Sequence, residues 1–231
     1  MSKSIGRAQR LASTMKNQGG IKMIAVDFDR TIVNIHTGGR WTESSASLAT
    51  KVRPFFKQLL VQAQKSGIWV AIVTFSSQTE LVADTLSIAL GGEKNIQRCY
   101  LRANDGSWTL PSLTDLPSLW SRDYVKQNFS QGKLSHIISV VQHIEKLTNL
   151  SISPNEILYF DDDLHNIDVA RSAGITNSAW CPATYEEVSC DHLLWKETEN
   201  YFFDGKSLDI LGATAIVESD AVTTSRLCLV A

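Results

Sequence analysis

The sequence lacks several features that would mark a membrane, secreted or zinc-stabilised protein. No apolar run approaches the ~20 residues of a membrane span, and the basic stretch before residue 21 leads into no apolar signal segment. The four cysteines form no CxxC pair, so neither a disulfide framework nor a zinc site is expected. We therefore expect a cytoplasmic protein with reduced cysteines and no membrane span.

An excess of charge of one sign is also absent. The 22 basic and 24 acidic residues leave a formal net charge of −2, which argues against a broad nucleic-acid surface. The hydrophobic fraction of 43% is ordinary for a globular protein. A chain of 231 residues is long enough for one α/β domain with extensions, and a core of that size needs no disulfide support.

Short apolar runs alternate with helical patterns along the chain. The runs 21–26, 67–75 and 157–160 predict buried parallel strands. The sequence also predicts strands near 96–102 and 175–181, a helix within 44–64, and helices at 78–90, 133–148 and 164–173. Residues 103–131 show no clear periodicity. This alternation predicts an α/β fold with a doubly wound, Rossmann-like parallel sheet.

Two carboxylates directly follow the first apolar run. Asp27 and Asp29 lie at the carboxyl end of that predicted strand, where open α/β sheets bind ligands. Two close carboxylates repel each other unless a cation lies between them or one of them keeps its proton. Such a pair suits a Mg²⁺ site or nucleophilic attack on a phosphoryl group. Taken alone, the pair is also compatible with an ordinary acidic turn after a strand.

Polar residues follow the later runs as well. Thr74 lies at the end of the second run, and its hydroxyl can donate to a phosphate oxygen. Lys133 begins the predicted helix 133–148, and three consecutive aspartates occupy 161–163. Consecutive acids leaving a buried strand are costly unless they are solvated or bound to a metal. The chain thus presents an acid pair, a hydroxyl, a lysine and an acid cluster in that order.

This ordered set resembles the haloacid dehalogenase (HAD) superfamily over about residues 21–182. The residues that match its four motifs are, in chain order, Asp27, Asp29 and Thr31, then Thr74, then Lys133, and finally Asp161 and Asp162. A loop, helices and strands fill the connections between the motifs and leave no room for a large cap domain. With Asn166 shortly after the acid pair, the chain looks most like the capless, magnesium-dependent phosphatase branch.

The resemblance implies catalytic roles for four of these residues. Asp27 would be the nucleophile that forms an aspartyl-phosphate, and Asp29 would act first as general acid and then as general base. Thr74 and Lys133 would hold the phosphoryl oxygens, with Lys133 as a compact point charge.

The resemblance also implies a Mg²⁺ cofactor. Its ligands would be Asp27, the backbone carbonyl of Asp29, and Asp162. Asp161 would shape the shell around the metal, and Asn166 would orient a metal-bound water. The ion would offset the repulsion between an anionic nucleophile and an anionic phosphate.

The implied function is a Mg²⁺-dependent phosphomonoester hydrolase that acts on a phosphorylated small molecule or a phosphoprotein. A phosphotransferase or mutase, and a non-catalytic binding or regulatory protein on the same scaffold, are the alternatives. No nucleic-acid partner is expected. We expect an N-terminal arm at 1–20, a catalytic domain at 21–195 and a C-terminal extension at 196–231.

Two positions depart from the family pattern, and three more lie where relatives have a mobile flap. Arg30 stands where many relatives have glycine, and Asn166 stands where the fourth motif often ends in aspartate. His36, Arg40 and Trp41 follow the first motif. They are expected either to contact the substrate or to form an ordinary surface turn.

Four aromatic side chains outside the motifs have less specific interpretations. His136 and His143 lie on the predicted helix 133–148 and are expected to pack or to face solvent rather than to bind a metal. Trp108 and Trp120 are expected either to form a wall near the site or to pack in the core.

The last four residues have the form of a prenylation signal. Cys228 is followed by two aliphatic residues and a terminal alanine, the pattern typical of farnesyl transfer. Prenylation at Cys228 would tether the protein to a membrane, although one lipid chain alone gives marginal binding. An apolar tail without modification is the alternative interpretation, and it is the one we favour.

Overall fold

The fold is a five-stranded parallel sheet in a computed structural model that describes residues 3–126, 128–181 and 187–205. The strands are β1 (Met23–Val26), β2 (Trp69–Val73), β3 (Cys99–Arg102), β4 (Ile157–Asp161) and β5 (Asn177–Trp180). Their order across the sheet is β3-β2-β1-β4-β5, and every neighbouring pair is parallel. The predicted doubly wound α/β fold is therefore confirmed.

Helices connect the strands and cover both faces of the sheet. They are α1 (Lys3–Asn17), α2 (Ser45–Ala49), α3 (Pro54–Lys65), α4 (Thr79–Leu90), α5 (Arg122–Lys126), α6 (Leu134–Thr148), α7 (Leu164–Ser172) and α8 (Glu187–Asp204). Short 3₁₀ turns lie at Glu93–Asn95 and Pro154–Glu156. In the described chain, no cap domain interrupts the connection between β1 and β2 or the connection between β3 and α6.

The alternation of side chains along β1 creates two separate core layers. Ile24 and Val26 pack on the face that α1, α3, α4 and α8 cover. Met23 and Ala25 face the opposite layer, which α6 and α7 cover. All four side chains are fully buried, as a central parallel strand requires because helices cover both of its faces. β1 is therefore the most enclosed part of the sheet, and its carboxyl end lies between those of β2 and β4.

The first and last described helices pack on the same core layer. Leu11 and Met15 of α1 are fully buried in it. The guanidinium of Arg7 pairs with both carboxylate oxygens of Glu199 on α8, at 2.6 and 2.7 Å, and lies over the ring of Trp195. The boundary predicted between residues 195 and 196 falls within α8. The described parts of both expected extensions are thus packed against the central unit.

The structure corrects three local predictions. The segment 44–64 contains two helices rather than one, and Val52 lies between them in an antiparallel bridge with Val33. Pro54 occupies the first turn of α3, where its fixed φ and missing N–H suit the start of a helix. The unpatterned segment 103–131 contains the short helix α5, and the segment after 195 continues as helix to Asp204. Tertiary packing decides the five-residue helices α2 and α5, because their own periodicity is too brief to detect.

None of the helices in the described ranges combines the length and the hydropathy that a membrane crossing requires. Cys228 lies outside the described residues, so the unmodified tail that we favour and the alternative of prenylation are both untested predictions.

Candidate functional site

The turn after β1 projects two carboxylates in different directions. The Asp27 N–H donates to the Phe160 carbonyl of β4 at 2.9 Å, which continues the sheet by one residue. The chain then forms a wide turn over Phe28–Ile32, in which Asp29 is extended and Arg30 has a left-handed φ of 57°. A left-handed residue with a side chain is strained by ~1–2 kcal/mol. With Arg30 in this conformation the chain turns back sharply, and Asp27 and Asp29 both line the same pocket.

Lys133 joins the ends of two neighbouring strands. It directly precedes α6, and its Nζ lies 2.5 Å from an Asp27 oxygen and 3.0 Å from an Asp161 oxygen. Its side chain is only 5% exposed. Gly132 makes this approach feasible, because a Cβ there would lie 2.7 Å from the side-chain oxygen of Asn166. The lysine of the third predicted motif therefore lies between the acids of the first and the fourth.

Asp161 is enclosed by hydrogen-bond donors. Lys133 and the Tyr159 hydroxyl donate to one of its oxygens. The Asp163 N–H and the side-chain amide of Asn166 donate to the other, at 2.9 and 3.0 Å. The carboxylate has no solvent exposure. These donors fix the orientation of the Asp161 carboxylate, which contacts Lys133.

Sequence reasoning did not identify Tyr159. It lies inside β4 as one apolar-looking residue of a buried strand, and its hydroxyl meets Asp161 two residues later in the chain. Burial and the charge of Asp161 raise the pKa of Tyr159 well above its usual value, so the phenol remains a donor. A tyrosine two positions before a strand-end acid was the available signal, because both side chains point to the same face.

Asp162 and Asp163 both line the pocket, and of the two only Asp162 lies beside Asp27 and Asp161. Asp162 is half-buried, and one oxygen from each of Asp27, Asp161 and Asp162 lies within 4.8 Å of the others. Asp163 instead accepts from the His165 N–H and caps α7. The three aspartates therefore differ in position: one is buried behind the site, one faces it, and one caps a helix at its rim.

The buried charges shift the pKa values of the site residues. Burial raises the pKa of Asp27 well above its usual value, the charge of Asp161 adds to the rise, and Lys133 opposes it. Burial and Asp161 also raise the pKa of Asp162. Burial alone would lower the pKa of Lys133, but Asp27 and Asp161 outweigh it and raise that pKa. The site thus holds more acid than Lys133 balances, which is the electrostatic condition a bound cation relieves.

Asp29 is held by the loop that follows the turn. One of its oxygens accepts from the Thr37 N–H at 3.1 Å, and the other accepts from the Thr37 hydroxyl at 3.0 Å. His36 Nδ1 lies 3.3 Å from Asp29, while its side chain is 56% exposed. Sequence reasoning included His36 but missed Thr37. A Thr-Gly-Gly sequence offers no periodic signal that its hydroxyl faces an acid eight residues earlier.

The 36–41 loop is fastened at its far end. Trp41 N–H donates to the Gln78 side-chain oxygen at 2.7 Å, and the Gln78 amide donates back to the Trp41 carbonyl at 3.0 Å. Gln78 immediately precedes α4. Neither Arg40 nor Trp41 is among the described residues that line the pocket. Of the two interpretations of this segment, His36 fits substrate contact, and Trp41 anchors the loop.

An open pocket of about 390 Å³ lies at the carboxyl ends of β1, β2 and β4. The predicted residues that line it are Asp27, Asp29, Thr74, Lys133, Asp162 and Asn166. Two more predicted residues lie behind it: Asp161, described above, and Thr31, whose hydroxyl donates to Asp27 at 3.4 Å. The structure therefore brings together all eight predicted site residues, from segments far apart in the chain.

The tryptophans and the second histidine lie elsewhere. Trp120 packs in the core beneath α6 and donates to the Ile152 carbonyl. Trp108 donates to the Ala103 carbonyl and packs edge-on against His136. His143 packs against the Tyr100 ring. None of the three is among the described lining residues of the pocket.

His136 is a buried neutral histidine in the first turn of α6. It is 4% exposed, its Nε2 lies 3.3 Å from the Asn104 oxygen, and its Nδ1 has no hydrogen-bond partner among the described residues. Burial, with the charges of Lys133 and Arg102, lowers the pKa of His136 to about 4. Of the two expected environments, packing and solvent, His136 therefore has the packed one.

We predict that His136 makes folding stability depend on pH. The unfolded chain takes up its proton near pH 6.5 and the folded chain only near pH 4, so stability is lost as pH falls through this interval. Urea unfolding at pH 7 and pH 4.5 should show that wild type loses about 2–3 kcal/mol more than His136→Gln. A His165→Gln variant, altered at an exposed position, is the matched control. Equal losses in wild type and His136→Gln would contradict the prediction.

Comparisons with known proteins give little beyond this geometry. No protein-family model matches the chain, and no curated protein matches it. Among solved structures, a hypothetical protein from Xanthomonas campestris aligns with 87% of this chain and 93% of its own, at 14% identity and a TM-score of 0.40. A likeness at this level indicates neither fold nor function.

Proposed function

We propose that this protein is a HAD-type, Mg²⁺-dependent phosphomonoester hydrolase that works through an aspartyl-phosphate. The observation that supports this most strongly is the contact of Lys133 with both Asp27 and Asp161, beside Asp162 and opposite Thr74 in one open pocket. An ordinary acidic turn after β1 would not gather a buried lysine and a second acid cluster around it. A phosphorylated small molecule or a phosphoprotein is the expected substrate.

Asp27 is placed to act as the nucleophile. One of its oxygens is held by Lys133 and the other by the Thr31 hydroxyl, so the carboxylate orientation is fixed before a substrate arrives. Lys133 also opposes the effect of burial on the pKa of Asp27, which favours the ionised form that attacks phosphorus. The ester oxygen leaves, and the phosphoryl group is transferred to an Asp27 oxygen.

Asp29 would move the proton in both half-reactions. It lines the pocket two residues after Asp27, and Thr37 fixes both of its oxygens. In the first step it gives a proton to the leaving alkoxide. In the second it accepts a proton from the water that hydrolyses the aspartyl-phosphate, which restores both residues.

Lys133 and Thr74 would hold the transferred phosphoryl group. Both are buried, at 4% and 1% exposure, and both line the pocket. A buried ammonium stabilises phosphoryl charge more than one in bulk water, because the protein around it has a lower effective dielectric constant. The Thr74 hydroxyl already accepts from the Ser76 N–H at 3.2 Å, which leaves its proton for a phosphate oxygen.

The acid cluster fits a hard divalent cation. Asp27 and Asp162 would hold it through carboxylate oxygens, and the resemblance adds the Asp29 carbonyl. Asp161 already accepts from donors on both of its oxygens, so it supports the site from behind. When bound, Mg²⁺ would neutralise charge between the nucleophile and the phosphate. The excess of buried acid over Lys133 is the feature of this chain that favours such an ion.

A cytoplasmic location accompanies this proposal. Cys99 is a free thiol in the described part of the chain, which is the ordinary state of cysteine in a reducing compartment.

The proposal predicts a strict metal requirement. Hydrolysis of p-nitrophenyl phosphate should fall by about a hundredfold or more after treatment with EDTA, because a catalytic cation contributes several kcal/mol, and excess Mg²⁺ should restore it. Released phosphate is the measurement. Full activity in a rigorously metal-free sample would contradict the metal assignment.

The same assay separates the alternatives. Phosphoryl transfer to an added alcohol without net phosphate release would indicate a phosphotransferase or mutase. Failure to hydrolyse any member of a panel of phosphorylated metabolites and phosphopeptides, with Mg²⁺ present, would overturn the hydrolase proposal in favour of a binding protein.

A further inference from the structure

The rim of the pocket has a cation that the catalytic groups do not use. Two permanently charged basic residues, Lys133 and Arg30, are among the described residues that line it. Lys133 is neutralised by Asp27 and Asp161. The Arg30 side chain is exposed and makes no hydrogen bond or ion pair with any residue in the described ranges. Its five N–H donors therefore remain for a ligand.

The backbone holds Arg30 in place independently of its side chain. Its N–H donates to the Ile35 carbonyl at 2.9 Å, and its carbonyl accepts from the buried Arg53 guanidinium at 2.6 Å. Together they impose the left-handed φ of 57°, which a glycine would adopt with less strain. Strained residues of this kind tend to occur at sites of function. The chain thus has a large charged side chain at a position where the backbone conformation favours glycine.

Lys133 and Arg30 lie at different depths in the pocket, so they can bind different parts of a substrate. Lys133 and Thr74 lie at the buried end of the pocket, whereas Arg30 is exposed at its rim. Arg30 also lies near enough to Asp162 for its charge to oppose the rise in that residue's pKa, of which burial is the main cause. A phosphoryl group held by Lys133 and Thr74 would leave the rest of the substrate extending toward the rim.

We propose that Arg30 binds an oxyanion on the leaving portion of the substrate, so that the site prefers phosphomonoesters with a second anionic group. A carboxylate or a second phosphate fits the planar guanidinium, which pairs with either through two parallel hydrogen bonds. This inference rests on the proposed hydrolase function, because only hydrolysis defines which part of the substrate is the leaving group. The selection of a second anion by Arg30 can be measured by binding alone.

Binding of non-hydrolysable analogues gives the first test. Calorimetry with Mg²⁺ present would compare phenylphosphonate with 3- and 4-carboxyphenylphosphonate. Wild type should bind at least one carboxyphenyl compound about tenfold more tightly than phenylphosphonate, the effect of one charge-assisted hydrogen bond. Benzene-1,4-diphosphonate is included in the same comparison to test whether the second anion can be a phosphate-like group.

The variants are matched to the backbone at residue 30. Arg30→Gly removes the charge and suits the left-handed φ, so it should fold and melt at the wild-type temperature or higher. It should lose the preference for the carboxyphenyl compound, and Arg30→Lys should keep part of it. Arg10→Ala removes one exposed charge from α1 at a position that is not among the described lining residues. It should keep the full preference.

Hydrolysis of the corresponding phosphates distinguishes failure of this inference from failure of the proposed function. A wild-type preference in kcat/KM for a carboxyphenyl phosphate over phenyl phosphate, lost in Arg30→Gly, supports both. Binding with the preference but no hydrolysis by wild type supports the anion site and overturns the hydrolase. Hydrolysis without any preference, or an equal loss for both substrates in Arg30→Gly, overturns the anion site. Absence of both binding preference and hydrolysis overturns both.

Discussion

Asp27→Asn should abolish phosphate release while the protein still folds. We expect kcat to fall by at least about 10⁴-fold, the scale seen when a covalent nucleophile is removed. The amide has nearly the shape of the carboxylate but cannot form an aspartyl-phosphate. Lys133 keeps its contact with Asp161 at 3.0 Å, so the buried ammonium still has an anionic partner. Steady-state kinetics with p-nitrophenyl phosphate is the measurement.

Two controls make the Asp27→Asn result specific. Asp168→Asn is the same chemical change at an exposed position of α7, and it should retain wild-type kinetics. Circular dichroism and thermal melting of Asp27→Asn should match wild type closely, since removing one of several clustered acids also removes repulsion. Activity within tenfold of wild type in a folded Asp27→Asn protein would overturn the covalent mechanism.

Lys133→Met should lower both stability and activity. The side chain is 5% exposed and balances Asp27 and Asp161, so its loss leaves two buried carboxylates without their cation. Breaking a buried pair by removing one partner costs about 3–5 kcal/mol. We also expect a loss in kcat of about 10²–10³-fold, because the charge that stabilises the transferred phosphoryl group is gone. Urea unfolding and phosphatase kinetics measure the two effects.

A double variant separates the two consequences of losing Lys133. Asp27→Asn combined with Lys133→Met removes an acid together with the base, so it should recover part of the lost stability while remaining inactive. Lys146→Met, at a side chain that is 71% exposed on α6, is the matched control and should change stability by less than about 0.5 kcal/mol. Stability of Lys133→Met equal to that of Lys146→Met would show that the buried ion pair is not formed.

The sheet was predictable because its strands are buried on both faces. A parallel strand covered by helices must be apolar at nearly every position, so β1, β2 and β4 appear as continuous runs that end where polar residues begin. Those run ends give Asp27, Thr74 and Asp161 directly, because the carboxyl ends of parallel strands lie at one edge. Short elements such as α2 and α5 have too few residues for such a pattern, and the sequence alone did not reveal them.

The supporting contacts were not predictable, because each joins segments with no shared pattern. Thr37 holds Asp29 from a loop whose path depends on two glycines and on the Gln78–Trp41 contact. Arg53 reaches the Arg30 carbonyl from the start of α3, although a buried arginine there looks like any charged residue before a helix.

The sequence by itself determined the layered α/β fold and the set of charged residues that lie at one edge of the sheet. Both follow from periodicity and from the fact that buried strands exclude polar groups until they end. Only the tertiary structure decided which of these charges are neutralised. Lys133 contacts Asp27 and Asp161, whereas the Arg30 side chain at the rim pairs with none of the residues that the structure describes. Charge pairing depends on distances of a few ångströms between side chains far apart in the chain, and only packing of the folded chain sets those distances.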